Sequence, residues 1–125
     1  MDTHASAENY LETILILKNR LGAVRSVDIV NELDFTRASV SVAMKKLRES
    51  GHIEMDTLGC ITLTKSGLKV AEEMYERHNI LAKFLIKLGV DEETAYEDSC
   101  KIEHVISEKS FRCIKEHMAA LNERQ

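Results

Sequence analysis

At 125 residues, the chain has the length of one ordinary domain or of two small lobes. Its 44% hydrophobic and 30% charged residues are typical of a globular protein, and no apolar run approaches the roughly 18 residues that a membrane span requires. The absence of Pro argues against a flexible linker, and three cysteines without a signal-peptide pattern predict a reducing, cytoplasmic location.

The net charge of −4 is unevenly distributed. Between Lys18 and Ser50 there are seven Lys/Arg and four Asp/Glu residues, whereas between Glu72 and Glu108 there are four and ten. A basic front can contact phosphates, and an acidic back around a group of ligands attracts cations. Ordinary solvated helix faces explain the same charges, so charge alone does not choose between these interpretations.

Hydrophobic periodicity predicts three helices in the first half of the chain. Ser26 and Thr36 are the expected N-caps of the second and third, and Gly22 and Gly51 end the first and third. A short helix and a second helix joined by a tight turn are typical of a helix-turn-helix, whose second helix enters the major groove of DNA. The predicted bounds are Ala5 to Arg20, Val27 to Leu33 and Thr36 to about Glu49.

The outward positions of the third helix are mostly small, polar or basic, which lets a helix lie close to DNA. Arg37 is expected to read a guanine edge, the Ser and Thr side chains to contact bases or phosphates, and the lysines to hold the backbone. A solvated helix end explains the polarity, but not the scarcity of long acidic side chains. The predicted DNA-contacting residues are Arg25, Ser26, Thr36, Arg37, Ser39, Ser41, Val42, Lys45 and Lys46.

After Gly51, alternating apolar and polar residues predict two short strands, His52 to Asp56 and Cys60 to Thr64, joined by a turn that contains Gly59. A hairpin directly after a helix-turn-helix is the winged-helix arrangement. Because an isolated hairpin is only marginally stable, this one is expected to pack on the helices. Cys60 is interpreted as a packing residue.

Three further helices are predicted in the second half of the chain. Thr64 or Ser66 caps a long helix that reaches Leu88, Asp91 opens the next, and Ser107 caps the last, which continues to about residue 122. The chain offers little core to the apolar stripe of the last helix, so we expect a partner subunit to bury it. The stripe consists of Phe111, Ile114, Met118 and Leu121.

A thiol, a carboxylate and an imidazole occur at Cys100, Glu103 and His104. Their i, i+3 and i+4 spacing would place them on one face of a helix. One soft sulfur with harder oxygen and nitrogen suits a divalent first-row transition metal better than Mg²⁺ or Ca²⁺, which prefer oxygen alone. Taken alone, the same residues are common on amphipathic helices, and His78 in the long helix is more often structural than a ligand.

Separated segments, in the same order along nearly the whole chain, resemble the iron- and manganese-dependent repressors, the diphtheria-toxin-repressor and manganese-transport-regulator family. The resemblance implies a mainly α fold, in which residues 1–70 form a winged helix-turn-helix with a two-stranded wing and residues 71–125 form an all-helical metal-binding and dimerisation domain. It further implies a short form without an extra C-terminal domain. The matching segments are Ser6 to Glu12, Ala38 to Ser41, Leu63 to Gly67, Arg77-His78, Gly89 to Glu93 and Cys100 to His104.

The resemblance also nominates metal ligands, namely Glu12, His78, Cys100, Glu103 and His104. They would bind Fe²⁺ or Mn²⁺, with Zn²⁺, Co²⁺ or Ni²⁺ binding in vitro, because affinity alone follows the Irving–Williams order. The Cys100 thiolate favours Fe²⁺ modestly.

Four positions depart from one or other branch of the family. Asn9 falls where manganese members have an aspartate and iron members a methionine, and it offers an amide or a backbone oxygen. Cys100 is the iron-type residue, where manganese members use a glutamate. Ala82 and Tyr96 replace a Glu and a His of an ancillary site in iron members, so a second site is expected to be altered or missing.

The implied function is a homodimeric repressor of metal-uptake genes that binds a palindromic DNA operator when it is loaded with metal. A metal joining Glu12 of the DNA-reading lobe to ligands of the second lobe would fix the spacing of the two recognition helices. One alternative is a winged-helix regulator that senses oxidants or a small molecule, with Cys100 as a reactive thiol. A hydrolase is disfavoured because no oxyanion-hole or nucleophile-elbow motif is visible, and we expect no enzyme.

Overall fold

A computed structural model describes residues 7–123, and within this range the chain forms six helices and one two-stranded antiparallel sheet. The predicted fold class is therefore confirmed, while the predicted helix start at Ala5 lies outside the described residues. The chain divides between Glu73 and Met74 into two compact units. The elements are α1 (Ala7–Leu21), α2 (Ser26–Leu33), α3 (Arg37–Glu49), β1 (Ile53–Met55), β2 (Ile61–Leu63), α4 (Lys65–Lys87), α5 (Glu92–Ile102) and α6 (Glu108–Glu123).

The first unit contains α1, α2, α3, the hairpin and the start of α4 around one apolar core. Val40, Met44 and Leu47 of α3 are buried in this core, at the helical spacing that the sequence indicates. The hairpin contributes Ile53 and Ile61, which are also buried. Because these residues fix one side of α3 inside the unit, its opposite side faces solvent.

The N-terminal cap of α3 agrees with the sequence prediction, whereas that of α2 does not. The Ser39 N–H donates to Thr36 Oγ1 at 3.1 Å, so Thr36 caps α3 as predicted. The prediction that Ser26 caps α2 is wrong, since Ser26 is its first helical residue and Arg25 is the N-cap. The Arg25 N–H donates to Asp28 Oδ2 at 2.8 Å. The Asp28 carboxylate thus supplies the hydrogen bond at the start of α2 that was expected from Ser26.

The hairpin pairs Ile53 with Leu63 and Met55 with Ile61, so the two predicted strands are present but shorter than expected. Asp56 Oδ1 accepts the N–H groups of Leu58 and Cys60, both at 2.9 Å, which holds the turn.

The start of α4 lies directly against the hairpin. Thr64 Oγ1 accepts the Gly67 N–H at 3.2 Å, which makes Thr64 the cap that the sequence allowed. The Thr64 N–H donates to the His52 carbonyl oxygen at 3.0 Å. A Cβ atom on Gly67 would overlap that same oxygen, so only glycine fits here without a shift of the backbone.

The second unit contains the rest of α4, α5 and α6. Asp91 caps α5, since its Oδ2 accepts the Thr94 N–H at 3.0 Å. Hydrogen bonding from Thr94 holds the pKa of the Asp91 carboxyl below its ordinary value. Ser107 Oγ accepts the Ser110 N–H at 3.1 Å, as expected of the cap of α6.

The apolar stripe of α6 is largely covered within this chain. Phe111 and Met118 are buried, and Ile114 and Leu121 are half-buried. The expectation that the chain offers this stripe little core is therefore wrong for Phe111 and Met118. One reason is that the guanidinium of Arg77 lies over the Phe111 ring, 5.3 Å from its centroid.

Candidate metal centre and nucleic-acid interface

The segment from Cys100 to His104 is not one continuous helix. α5 ends at Ile102, Glu103 is its C-cap with nearly helical backbone angles, and His104 lies in the turn that follows. The prediction of three donors on a single helix face is therefore wrong for His104. In this turn the N–H groups of Val105 and Ile106 both donate to the Ile102 carbonyl oxygen, at 3.0 and 2.9 Å.

His78, Cys100 and Glu103 come together in the second unit and form what we call the donor cluster. The Nδ1 atom of His78 lies 3.6 Å from Cys100 Sγ and 3.3 Å from Glu103 Oε2. One donor atom from each residue lies within 4.8 Å of the others. His104 extends the group, since its Nε2 lies 3.2 Å from Glu103 Oε1.

These separations suit a single metal ion. With bonds of roughly 2.0–2.3 Å, two ligand atoms on one ion lie at most about 4.6 Å apart, close to the limit that the donor cluster already meets. Sulfur, nitrogen and oxygen donors together are the set that divalent first-row transition metals accept. The residues present thus fit such an ion.

The electrostatics of the donor cluster favour a positive charge. The close contacts of His78 Nδ1 with the Cys100 sulfur and the Glu103 carboxylate raise the pKa of His78 to about 10, although burial works in the opposite direction. Glu103 is only 1% exposed, so its charge acts in a poorly solvated place.

Sequence reasoning missed Ser99, which is fully buried next to the donor cluster. Its hydroxyl donates to the Tyr96 carbonyl oxygen and lies 3.0 Å from His78 Nδ1, so it helps to orient the imidazole. The ring of Tyr96 lies against His78 with centroids 5.5 Å apart. The sequence does indicate close packing at this position, because Ala95 and Ser99 are small residues four apart on one face of α5.

The remaining predicted ligands lie on α1 of the first unit. Glu12 is buried, and Asn9 is half-buried with its backbone oxygen accepting the hydroxyl of Thr13 at 2.8 Å. Their roles as ligands remain predictions, as does the altered ancillary site. At that site Ala82 is fully buried and brings no donor atom.

The predicted DNA-contacting residues form an accessible face of the first unit. Arg25, at the start of α2, is exposed and Ser26 is half-buried. The exposed members on α3 and its cap are Thr36, Arg37, Ser39, Ser41, Val42, Lys45 and Lys46. A helix-turn-helix with a wing in one unit and a metal-type donor set in a second unit define the class of metal-responsive DNA-binding regulators.

Two family models match the chain. Residues 2–57 match the N-terminal DNA-binding domain of the iron-dependent repressors, and residues 64–124 match their metal-binding and dimerisation domain. The chain belongs to the iron-dependent repressor family, and it is a metal-responsive DNA-binding transcriptional repressor. The resemblance inferred from the sequence is confirmed.

Individual relatives agree with this assignment. An uncharacterised helix-turn-helix transcriptional regulator of Methanocaldococcus jannaschii is 32% identical over 112 residues, which cover 88% of this chain and 90% of that one. The transcriptional regulator MntR of Escherichia coli is 37% identical over 104 residues, or 83% of this chain and 67% of the relative.

A manganese-dependent transcriptional repressor solved with manganese has a similar structure. It superposes with a TM-score of 0.84 and 25% identity over 91% of this chain. The match covers 53% of that repressor, so this chain spans about half the length of its structural relative. Within the described residues, no helix is long and apolar enough to cross a membrane.

Proposed function

We propose that Fe(II) or Mn(II) is held by His78, Cys100, Glu103 and His104, and that its binding sets the affinity of this repressor for DNA. The observation that supports the proposal most strongly is the donor cluster, in which a thiol, an imidazole and a buried carboxylate converge within 4.8 Å. When bound, the ion supplies a compact positive charge that these side chains share. In the metal-free protein the Ser99 hydroxyl lies 3.0 Å from His78 Nδ1 and helps to hold the imidazole beside Cys100 and Glu103.

Glu12 of α1 is the ligand that the resemblance implies from the first unit, and we include it in the proposed set, with Asn9 as a further oxygen donor. A ligand set that draws on both units links metal loading to the freedom of the DNA-reading motif. A less mobile dimer loses less entropy when its two recognition helices meet half-sites roughly 34 Å apart. The proposed partner is a palindromic duplex bound by a homodimer in the cytoplasm, and no enzymatic activity is proposed.

The choice between the two metals follows from the donor atoms. Cys100 offers a thiolate, which favours Fe(II), whereas Glu12 and Glu103 offer the oxygens that Mn(II) prefers. Selectivity has to come from geometry and from metal availability, because the Irving–Williams order by itself would favour Cu(II) or Zn(II).

The test is an anaerobic Co²⁺ titration of the metal-free protein followed by absorption. We expect a saturable thiolate-to-cobalt band in the wild type and in Cys113→Ser, a matched control that removes another exposed thiol. We expect Cys100→Ser to abolish the band. Binding without the band in the wild type would indicate an oxygen and nitrogen site and favour manganese, and no Co²⁺ binding at all would contradict the proposed metal centre.

DNA binding provides the second half of the test. We expect Glu103→Ala to lose metal-dependent DNA binding, because this buried carboxylate lies next to both His78 and His104. If the variant bound operator as tightly as the wild type and without dependence on metal, the proposed mechanism would fail.

The exposure of Cys100 also favours one second candidate function. A regulator that senses oxidants through this thiol would show DNA binding that depends on an oxidant and not on metal. Measuring DNA binding of the metal-free protein with and without peroxide separates this candidate from the metal-dependent repressor.

A further inference from the structure

Two proposed ligands lie where backbone order is least secured by helical hydrogen bonds. Glu103 is the last residue associated with α5, and His104 lies in the turn that leads to α6. Side chains on a turn hold a ligand geometry less accurately than side chains on a helix, unless other groups fix the backbone. The position of the 103–106 turn therefore decides how well the metal centre is pre-formed.

Arg77 is bonded to both ends of this turn. Its Nη1 donates to the Glu103 carbonyl oxygen and to the Ile106 carbonyl oxygen, each at 3.4 Å. These bonds are long, but a guanidinium is always charged and is half-buried here, which strengthens its attraction to both carbonyl oxygens. The Glu103 carbonyl also lies at the C-terminus of α5, where a positive charge is favoured. The plane of the same group lies over the Phe111 ring of α6, which restricts its position.

The connection to the donor cluster follows from the sequence. Arg77 directly precedes His78 on α4, so one short stretch of helix supplies a ligand and also holds the backbone that carries Glu103 and His104. At Glu103, Arg77 bonds to the backbone carbonyl oxygen and not to the side chain, so the carboxylate stays in the donor cluster.

We propose that Arg77 is a positioning residue of the metal centre, which fixes the turn bearing Glu103 and His104 relative to His78. The inference rests on the proposed function. Groups that hold ligands in place typically contribute 10- to 100-fold to metal affinity. We expect Arg77→Ala to weaken Co²⁺ binding by about this factor, and Arg77→Lys to recover part of the loss, because lysine keeps the charge but not the planar fork.

Glu76→Gln is the matched control. Glu76 is the neighbouring residue on α4 and forms a half-exposed ion pair with Lys115 at 3.0 Å, away from the 103–106 turn. Exposed pairs of this kind contribute little, so Co²⁺ affinity should stay at the wild-type value.

The experiment combines Co²⁺ titration by absorption with amide hydrogen exchange of the metal-free proteins. In Arg77→Ala we expect weaker Co²⁺ binding and faster exchange at Val105 and Ile106, with an unchanged circular dichroism spectrum. Wild-type Co²⁺ affinity and exchange in this variant would overturn the inference, as would an equal loss in Glu76→Gln. If Arg77→Ala does not fold, Arg77→Lys decides: weakened binding with wild-type circular dichroism supports the inference, and wild-type binding overturns it. Absence of Co²⁺ binding in the wild type would instead refute the proposed metal centre, and the inference with it.

Discussion

Gly67 has no room for a side chain, because a Cβ atom there would overlap the backbone oxygen of His52. Alanine in a helix is normally favoured over glycine by about 1 kcal/mol. Overpacking against a well-fixed backbone costs about 1–3 kcal/mol, so the overlap outweighs the helix preference and makes the change destabilising. We expect Gly67→Ala to destabilise the protein in a denaturant titration, while Lys69→Ala at an exposed position of the same helix leaves stability nearly unchanged. A stabilised Gly67→Ala variant would show that the hairpin is not held this closely.

The residues of the donor cluster and its surroundings differ in how far the sequence predicts that they lie together. Cys100 and Glu103 could be predicted because their spacing alone brings them to one side of a helix end. His78 needed the family resemblance, since one histidine on a long helix carries no spacing signal. Arg77 and Ser99 act through a carbonyl oxygen and a ring nitrogen of residues distant in sequence, and no local pattern records such contacts.

The cap at the start of α5 predicts that the stability of the protein depends on pH. Hydrogen bonds from Thr94 lower the pKa of Asp91 below its ordinary 3.8, so the folded state favours the carboxylate. The stability that this cap contributes is therefore fully present above the ordinary pKa and is lost as the pH falls through the lowered value.

We expect the difference in unfolding free energy between wild type and Asp91→Asn to stay constant above about pH 5 and to shrink as the pH falls below the ordinary value of 3.8, because asparagine caps the helix without titrating. The acidic residues Glu92 and Glu93 are common to both proteins and cancel in the difference. A difference independent of pH would mean that the ionised carboxylate gives α5 no advantage.

Most elements could be predicted from periodicity and caps, but their ends depended on particular side chains. Thr36, Thr64, Asp91 and Ser107 cap helices as their residue types indicate. The start of α2 could not be predicted in this way, because the partner that fixes it is a carboxylate one turn further along. The spacing of Cys100, Glu103 and His104 did not reveal that α5 ends at Ile102, because a spacing rule assumes that the helix continues.

Metal binding and DNA binding must affect each other equally. If metal tightens DNA binding by some factor, DNA tightens metal binding by the same factor, and a coupling of about 1–3 kcal/mol is ordinary. We expect Mn²⁺ titrations followed by calorimetry to show this factor when a duplex selected from a random library is added at fixed salt. Salt has to be constant because the net charge of −4 leaves DNA binding dependent on local basic residues. Equal Mn²⁺ affinities with and without DNA would exclude coupling.

In the proposed metal centre, the exposure of Cys100 would affect how quickly the bound ion is released. Glu103 is buried and His78 is half-buried, whereas Cys100 is exposed. A competing chelator in solution therefore reaches the donor cluster from the thiol side, without waiting for the second unit to open. If the donor cluster holds the metal as proposed, we expect repression to end after metal starvation at a rate that depends on the concentration of soluble chelators and not on the much slower unfolding of the protein.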